Sequence, residues 1–429
     1  MPDEERQVFE AIVEKGDARL VSITNSVFQG LITGWNKVYV GEIVGEDDEH
    51  GVVEFLPEGG DQPEIVEEKL LRRLVKGREI DHWGVDWEGL WLLFPYEVES
   101  GKAHILTKET LQGEYPQTWT FLKNHEDELK GREGGKWEDE EQWWTFGRSQ
   151  NLAKMELDKI MTNIMSDYNR FSVDTEGKYY FIGGGNAGGY GVELIEDFAP
   201  SSDDHLYYAA LLNSRVLEYW HKHIAPIFGG KYYSYNKRYL EPHPVVLPEN
   251  APAKEIRETA RDIKEVRELI TELEYKTSDV RNYLADYDRS AVVLDLAQSI
   301  ELSDDNYRQS PIRKDSKTEE EGTEELYRVV MKRGHHIEFL NEQVRDFVFE
   351  LIKAEDRRLT RSEVLNMGVP SRSGVMELMH DYQRDQERIR DIEAQFEELR
   401  AELDKTVLRD SYELELEEGK LIDGFLEIW

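Results

Sequence analysis

The chain has 429 residues and carries 53 Lys and Arg against 90 Asp and Glu, a formal charge of −37. Its 39% hydrophobic and 11% aromatic content, with ten Trp and twenty-one Tyr, is too much packing material for a disordered acidic tail, so a globular chain of two or three domains is expected. No cysteine is present, which excludes disulfides, thiolate metal sites and a cysteine nucleophile, and no run approaches the roughly eighteen apolar residues of a membrane span.

Met1 to Arg6 lacks the basic start and apolar stretch of a secretion signal, so a cytoplasmic location is expected. An acidic excess of this size reads either as a match to a basic partner or as adaptation to a salty cytoplasm. The acids are dispersed rather than gathered into one tail, which favours the halophilic reading. In molar salt the Debye length falls to about 3 Å and counterion release adds little to nucleic-acid affinity. Base-edge contacts would then carry recognition, and the composition leaves DNA open as a partner.

In chain order, Leu31 to Val40 reads as a strand. Ile65 to Leu74 has apolar positions at helical spacing. Leu90 to Phe94 and Lys178 to Ile182 read as strands bounded by Gly, Pro and Asp. Tyr115 to Leu129 reads as a helix, and so does Leu206 to His223, with Leu212, Val216 and Trp220 on one face. Pro242, Pro244, Pro248 and Pro252 punctuate an expected linker. Beyond it Ile256, Ile263 and Ile270 recur every seven residues with Val266, Leu273 and Val280, and a second series is Ile389, Ile392, Phe396, Leu399 and Leu403. Two coiled-coil helices packed as an antiparallel pair are expected, separated by an acidic loop near 315–325 and a helical run from about Glu324 to Ala354. The expected class is α+β, a mixed-strand domain over residues 1–248 followed by an α-helical coiled-coil extension over 249–429.

Gly183 to Gly188 matches the spacing G-x-G-x-x-G, and Phe181 to Gly185 matches the F-x-G-x-G of methyl-donor sites. A dinucleotide loop needs a helix after it. Gly188 to Ile195 reads instead as a second strand, so a hairpin or a loop laid against a ligand backbone is expected. Glu58, Glu67 and Lys69 can be forced onto a nuclease pattern, but that chemistry needs its Glu-x-Lys on a central strand, and the helical spacing here argues against it. His335 with His336, and His221 with His223, lack the i, i+4 spacing of a helical zinc pair. There is no Gly-x-Ser-x-Gly elbow, no phosphate-binding lysine loop, and no two adjacent prolines to form the Asx-Pro-Pro-aromatic turn of amino-group DNA methyltransferases. No catalytic residue, metal site or cofactor site is therefore expected in this chain.

Gly229 to Tyr239 stands apart: Lys231, Lys237, Arg238, four tyrosines and Asn236 fall together with no acid. Cations neutralise phosphate, Asn and Arg make bidentate base contacts, and tyrosine offers stacking faces. A tyrosine-rich strand with snorkelling lysines has the same composition.

Leu211 to Trp220, followed by Gly229 to Leu240 and the Pro242-His243-Pro244 stop, resembles the TaqI-like C-terminal specificity domain. That domain is the target-recognition part of adenine-N6 DNA methyltransferases and fused type II restriction–modification enzymes. Gln29 to Val40, Leu74 to Trp83 running on to Leu93 to Tyr96, Trp144 to Gln150 and the glycine segment fall in the family's order, so the resemblance covers roughly residues 20–248. The family's upstream methyltransferase domain has no counterpart here, and its C-terminal tail is echoed only in Leu403 to Leu426. The resemblance implies recognition of double-stranded DNA for a methyltransferase partner that would carry S-adenosylmethionine. On this reading Lys37, Lys76, Arg78, Arg148 and Lys231 would contact phosphates. Gln150, Asn236, Lys237 and Arg238 would read base edges, and Tyr232 and Tyr235 would pack on sugar or base. The alternatives are a structural coiled-coil adaptor or remnant without DNA binding, methyl transfer by the chain itself through the glycine segment, and a site-specific adenine DNA methyltransferase whose catalytic half is encoded separately.

Overall fold

Two antiparallel-rich sheets form the first part of the computed structural model, which describes residues 1–47, 50–185, 187–303, 307, 312–318, 325–355 and 357–428. The chain divides into two units, residues 1–265 with 398–429, and residues 266–397. The class is α+β. Among the described residues no helix is long and apolar enough to cross a membrane.

In the first unit a four-stranded antiparallel sheet runs in the order Phe171–Asp174, Lys159–Asn163, Gly189–Leu194, Thr24–Gln29. A six-stranded sheet runs Tyr179–Phe181, Leu71–Val75, Leu90–Leu93, Val40–Asp47, Val52–Pro57, Glu64–Glu67, with only the first pair parallel. Phe28, Leu74, Leu92, Phe94, Phe146, Tyr180 and Phe181 lie in one buried cluster. Burying each such side chain contributes about 1.5–3 kcal/mol. Inside the smaller sheet Lys159 and Asp174 pair at 2.7 Å, both almost wholly buried. Asp174 also accepts backbone N–H bonds from Glu176, Lys178 and Tyr179, so its charge is satisfied on every side.

Several expected elements differ, each for a local reason. Leu31 to Val40 is not one strand: Leu31 and Ile32 make single bridges, Asn36–Tyr39 is a helical turn, and the strand begins at Val40. The Thr33 hydroxyl donates to Asn36 Oδ1 and accepts the Trp35 N–H, which bends the chain between them. Ile65 to Leu74 is not a helix but the strand Glu64–Glu67, a 3₁₀ turn at Glu68–Leu70 and the strand Leu71–Val75. Sheet neighbours overrode the helical spacing. The expected Leu206 to His223 helix is two, Ser202–Asn213 and Arg215–Ile224, broken at Ser214, whose Oγ accepts the Leu217 N–H. Asn213 is held by bonds in both directions with the Phe171 backbone, so the first helix must stop there. Tyr115 to Leu129 likewise divides into Pro116–Asn124 and Glu126–Gly135. The proline stretch is no free linker: Pro244–Val245 pairs with Ala18–Arg19, and His243, Val245 and Val246 are buried.

The long helices Ala253–Ser278 and Arg372–Thr406 are present, and Ile256, Ile263, Ile270, Leu273, Ile392, Phe396 and Leu403 are buried along them. Thr406 donates to Glu255 in the first unit, and Lys276 pairs with Asp385 in the second. The extension is not wholly helical. Residues 299–339 hold a four-stranded antiparallel sheet, Ser299–Glu301, His336–Phe339, Glu325–Val330 and Arg313–Thr318. Among the described residues of the expected Glu324 to Ala354 helix, only Glu342–Lys353 is α-helical, and its Phe347 and Val348 share a buried cluster with Val329, Ile337 and Phe339. Most of the acidic loop, residues 319–324, lies outside the described residues.

Candidate nucleic-acid interface

Four segments of the first unit meet at the glycine segment. Leu31 N–H donates to the Phe181 carbonyl and Gly183 N–H to the Leu31 carbonyl. Gly30 and Gly189 join the same crossing through Gly30 N–H to Gly189 O and Gly189 N–H to Ile182 O. Arg148 N–H and Gly147 N–H donate to Ile32 and Thr33, and Gly77 N–H donates to Ala187. On the far side, Ile164 N–H reaches Gly188 O and Tyr235 N–H reaches Ile164 O. The glycines are there for close approach. A Cβ on Gly183 would sit 2.2 Å from the Gly30 oxygen, and one on Gly77 2.3 Å from the Gly188 oxygen.

This junction is not a dinucleotide loop. The strand Gly189–Leu194 follows it, as expected, but Tyr179–Phe181 and Gly189–Leu194 lie in different sheets, so the segment is a crossover and not a hairpin. Asn186, one residue of the motif, lies outside the described residues.

Most of the candidate residues lie on or next to the stretches joined at this junction, along its rim. Arg148 bridges Ile32, with Gln150 two residues further on, while Lys76 and Arg78 flank Gly77, which is bonded to Ala187. Lys237 is joined through its backbone N–H to the Tyr190 hydroxyl, and Lys231, Asn236 and Arg238 belong to the same basic stretch. Lys37 closes the rim at an open recess of about 390 Å³ lined by Leu31 to Lys37, Ile182 and Gly183. Lys37, Arg78, Arg148, Gln150, Lys231, Tyr232, Lys237 and Arg238 are exposed, and Lys76 and Asn236 are half-buried.

Tyr235 is the correction. It is fully buried, donates to Asn169 Oδ1 at 2.7 Å and stacks on His221 at 4.1 Å, so it cannot reach a sugar or base. Burial raises its phenol well above the ordinary value. His221 is buried with it, and burial lowers its imidazole well below the ordinary value.

Electrostatically the rim is paired at rest. Lys76 meets Glu58 at 3.2 Å, Lys231 meets Asp167 at 3.0 Å, Lys237 meets Glu241 at 3.4 Å, Arg148 meets Glu133 at 3.6 Å, and Arg78 bonds to Glu88. Lys37 and Arg238 lie instead over the rings of Trp35 and Tyr239. The hydrogen bond and charge of Asp167 raise the Lys231 ammonium above its usual value. Exposed pairs of this kind contribute little to stability, and each carboxylate is open to exchange. Beneath the rim, Glu79 is buried in the Gly77–Glu79 turn, where burial and then the Glu88 charge push its carboxyl up to about 7.

Among the described residues no group of three His, Asp or Glu is placed to hold a metal. Glu67 and Glu58 do not share a site. The Glu67 carboxylate accepts the N–H groups of Gln117 and Thr118 at the start of a helix, and Glu58 holds Lys76. Glu67 ends an edge strand, and that placement replaces helical spacing as the reason against a nuclease core. Sequence reasoning missed Ile32 and Trp35 of the recess, and Ile227 and Phe228, which are exposed beside the basic stretch. The one available signal for the last two was an apolar pair directly before a double glycine.

No protein-family model matches the chain, and no curated protein matches it in sequence.

Proposed function

We propose that the part of this chain over residues 1–248 is the sequence-specific DNA recognition module of an adenine-N6 DNA methyltransferase or restriction–modification system. It positions duplex DNA while a methyltransferase partner flips an adenine into its own S-adenosylmethionine site. One observation supports this reading: backbone crossings at and beside the glycine junction join four separate stretches of sequence that carry cations, in a chain with a charge of −37. Lys37, Lys76, Arg78, Arg148 and Lys231 neutralise phosphates, and Gln150, Asn236, Lys237 and Arg238 read base edges. Tyr232 remains available for packing on a sugar or base; Tyr235 does not.

A structural adaptor without DNA binding is the second reading. The carboxylates against five of the seven rim cations favour it. Selection from a randomised duplex pool by the full chain in molar potassium chloride separates the two. Enrichment of one short motif is expected. Arg238→Ala should then lose about 1–3 kcal/mol of discrimination at one base pair, while Lys231→Ala should weaken all sequences alike. Absence of enrichment, or an Arg238→Ala chain with unchanged affinity and preference, overturns the reading or that role respectively.

A further inference from the structure

Beside the rim, Ile227–Phe228 and Tyr232–Ser234 form a short antiparallel ribbon, joined on its other side by Met165–Ser166. Its base is anchored: Tyr233 and Ser234 are buried, and the Ser234 carbonyl is bonded to His221. Its tip is bare. Phe228 and Tyr232 face each other across the ribbon and are 48% and 43% exposed, with Ile227 at 42%. Gly229 and Gly230 make the turn at φ +59° and +77°, and a Cβ on either would meet nothing within 4 Å, so the tip ends in open space.

Two opposed rings on an anchored ribbon are costly to leave in water, and large apolar side chains grouped on a surface mark a contact. The charge around them limits what the contact can be. Ala225 to Leu240 holds Lys231, Lys237 and Arg238 and no acid before Glu241, in a chain with 90 acids; Lys231 and Lys237 rest on the exchangeable partners Asp167 and Glu241, and Arg238 lies over the Tyr239 ring. The fitting ligand is anionic outside and flat, apolar and stackable inside. Duplex DNA has that construction, and apolar wedges entering base steps are a known way of unstacking them. An anionic lipid surface shares the charge, but three apolar side chains at a ribbon tip offer little area for membrane binding.

We propose that Phe228, backed by Tyr232 across the ribbon, is a wedge that enters one base step of the bound duplex, with Lys231 on the adjoining phosphate. The inference rests on the DNA-recognition reading and goes beyond it, because it assigns a deformation of the DNA to a side chain that reads no base edge.

The test uses the full chain and a duplex built on the motif enriched in the pool selection, with 2-aminopurine placed singly at successive positions. Binding is followed by anisotropy and unstacking by 2-aminopurine emission in the same sample. The expected result is a several-fold rise in emission at one position, abolished by Phe228→Ala, retained by Phe228→Leu, and accompanied by weaker but measurable binding of Phe228→Ala. Binding with no rise at any position, or an equal rise with Phe228→Ala, overturns the wedge and leaves DNA recognition standing. No binding by the unsubstituted chain overturns both. Binding to phosphatidylglycerol vesicles that Phe228→Ala abolishes assigns the tip to lipid and overturns the wedge.

Discussion

Tyr235 and Tyr232 are three residues apart in the same basic stretch, and the fold gives them opposite work. Tyr232 points out at the ribbon tip, while Tyr235 is sealed between Asn169 and His221. Tyr235→Phe is expected to destabilise the protein by about 1–3 kcal/mol, because it leaves the buried Asn169 oxygen without its donor, and to leave DNA affinity unchanged. Urea unfolding and a binding titration check both halves. Glu79 makes a second prediction at this scale. Its carboxyl rises from 4.5 to about 7 in the folded state, so the folded chain keeps a proton that the unfolded chain releases. That contribution is full below pH 4.5 and is lost as the pH rises through 7. Glu79→Gln should therefore melt above the unsubstituted chain at about pH 8 and lose that advantage at about pH 4. His82 and His243, lowered by burial to about 3 and about 4, act in the other direction and weaken the fold as the pH falls below 6.5.

At the scale of elements, the heptad isoleucines were readable because one-faced burial writes a period into the chain. Ile263 is fully buried, and Ile263→Ala is expected to cost about 2–5 kcal/mol by thermal or urea unfolding. The elements that were misread lack such a face. In Ser202–Asn213 every residue from Asp204 onward is buried, so no stripe marks it, and its end is set by Asn213 bonding to a strand some forty residues earlier in sequence. Leu326 to Val330 and His336 to Phe339 read as helix because neither is long enough to show alternation, yet Val329 and Ile337 face each other across a ladder. Lys231, Lys237 and Arg238 were legible as residue types, since a basic-aromatic island stands out among so many acids, whereas Lys37, Lys76, Arg78 and Arg148 came only from the resemblance. The joining of their stretches was not legible, because it depends on Gly30 and Gly183 letting two backbones cross.

For the whole molecule, a charge of −37 is unscreened repulsion in dilute buffer and nearly screened in molar salt. The unfolding midpoint is expected to rise with potassium chloride between about 0.1 M and about 2 M, as a scan at constant pH would show; a flat response would remove the salt-adaptation reading. The sequence by itself determined the charge, the absence of thiol chemistry, the α+β class and the two long helices, because each follows from composition or from a period that one face of an element imposes. Tertiary structure alone decided that Glu325–Val330 and His336–Phe339 are strands, that the prolines are packed and that Tyr235 belongs to the core. It also decided that the stretches carrying Arg78, Arg148 and Lys237 are joined at or beside the glycine junction. These depend on contacts between residues far apart in the chain, and no local pattern records such contacts.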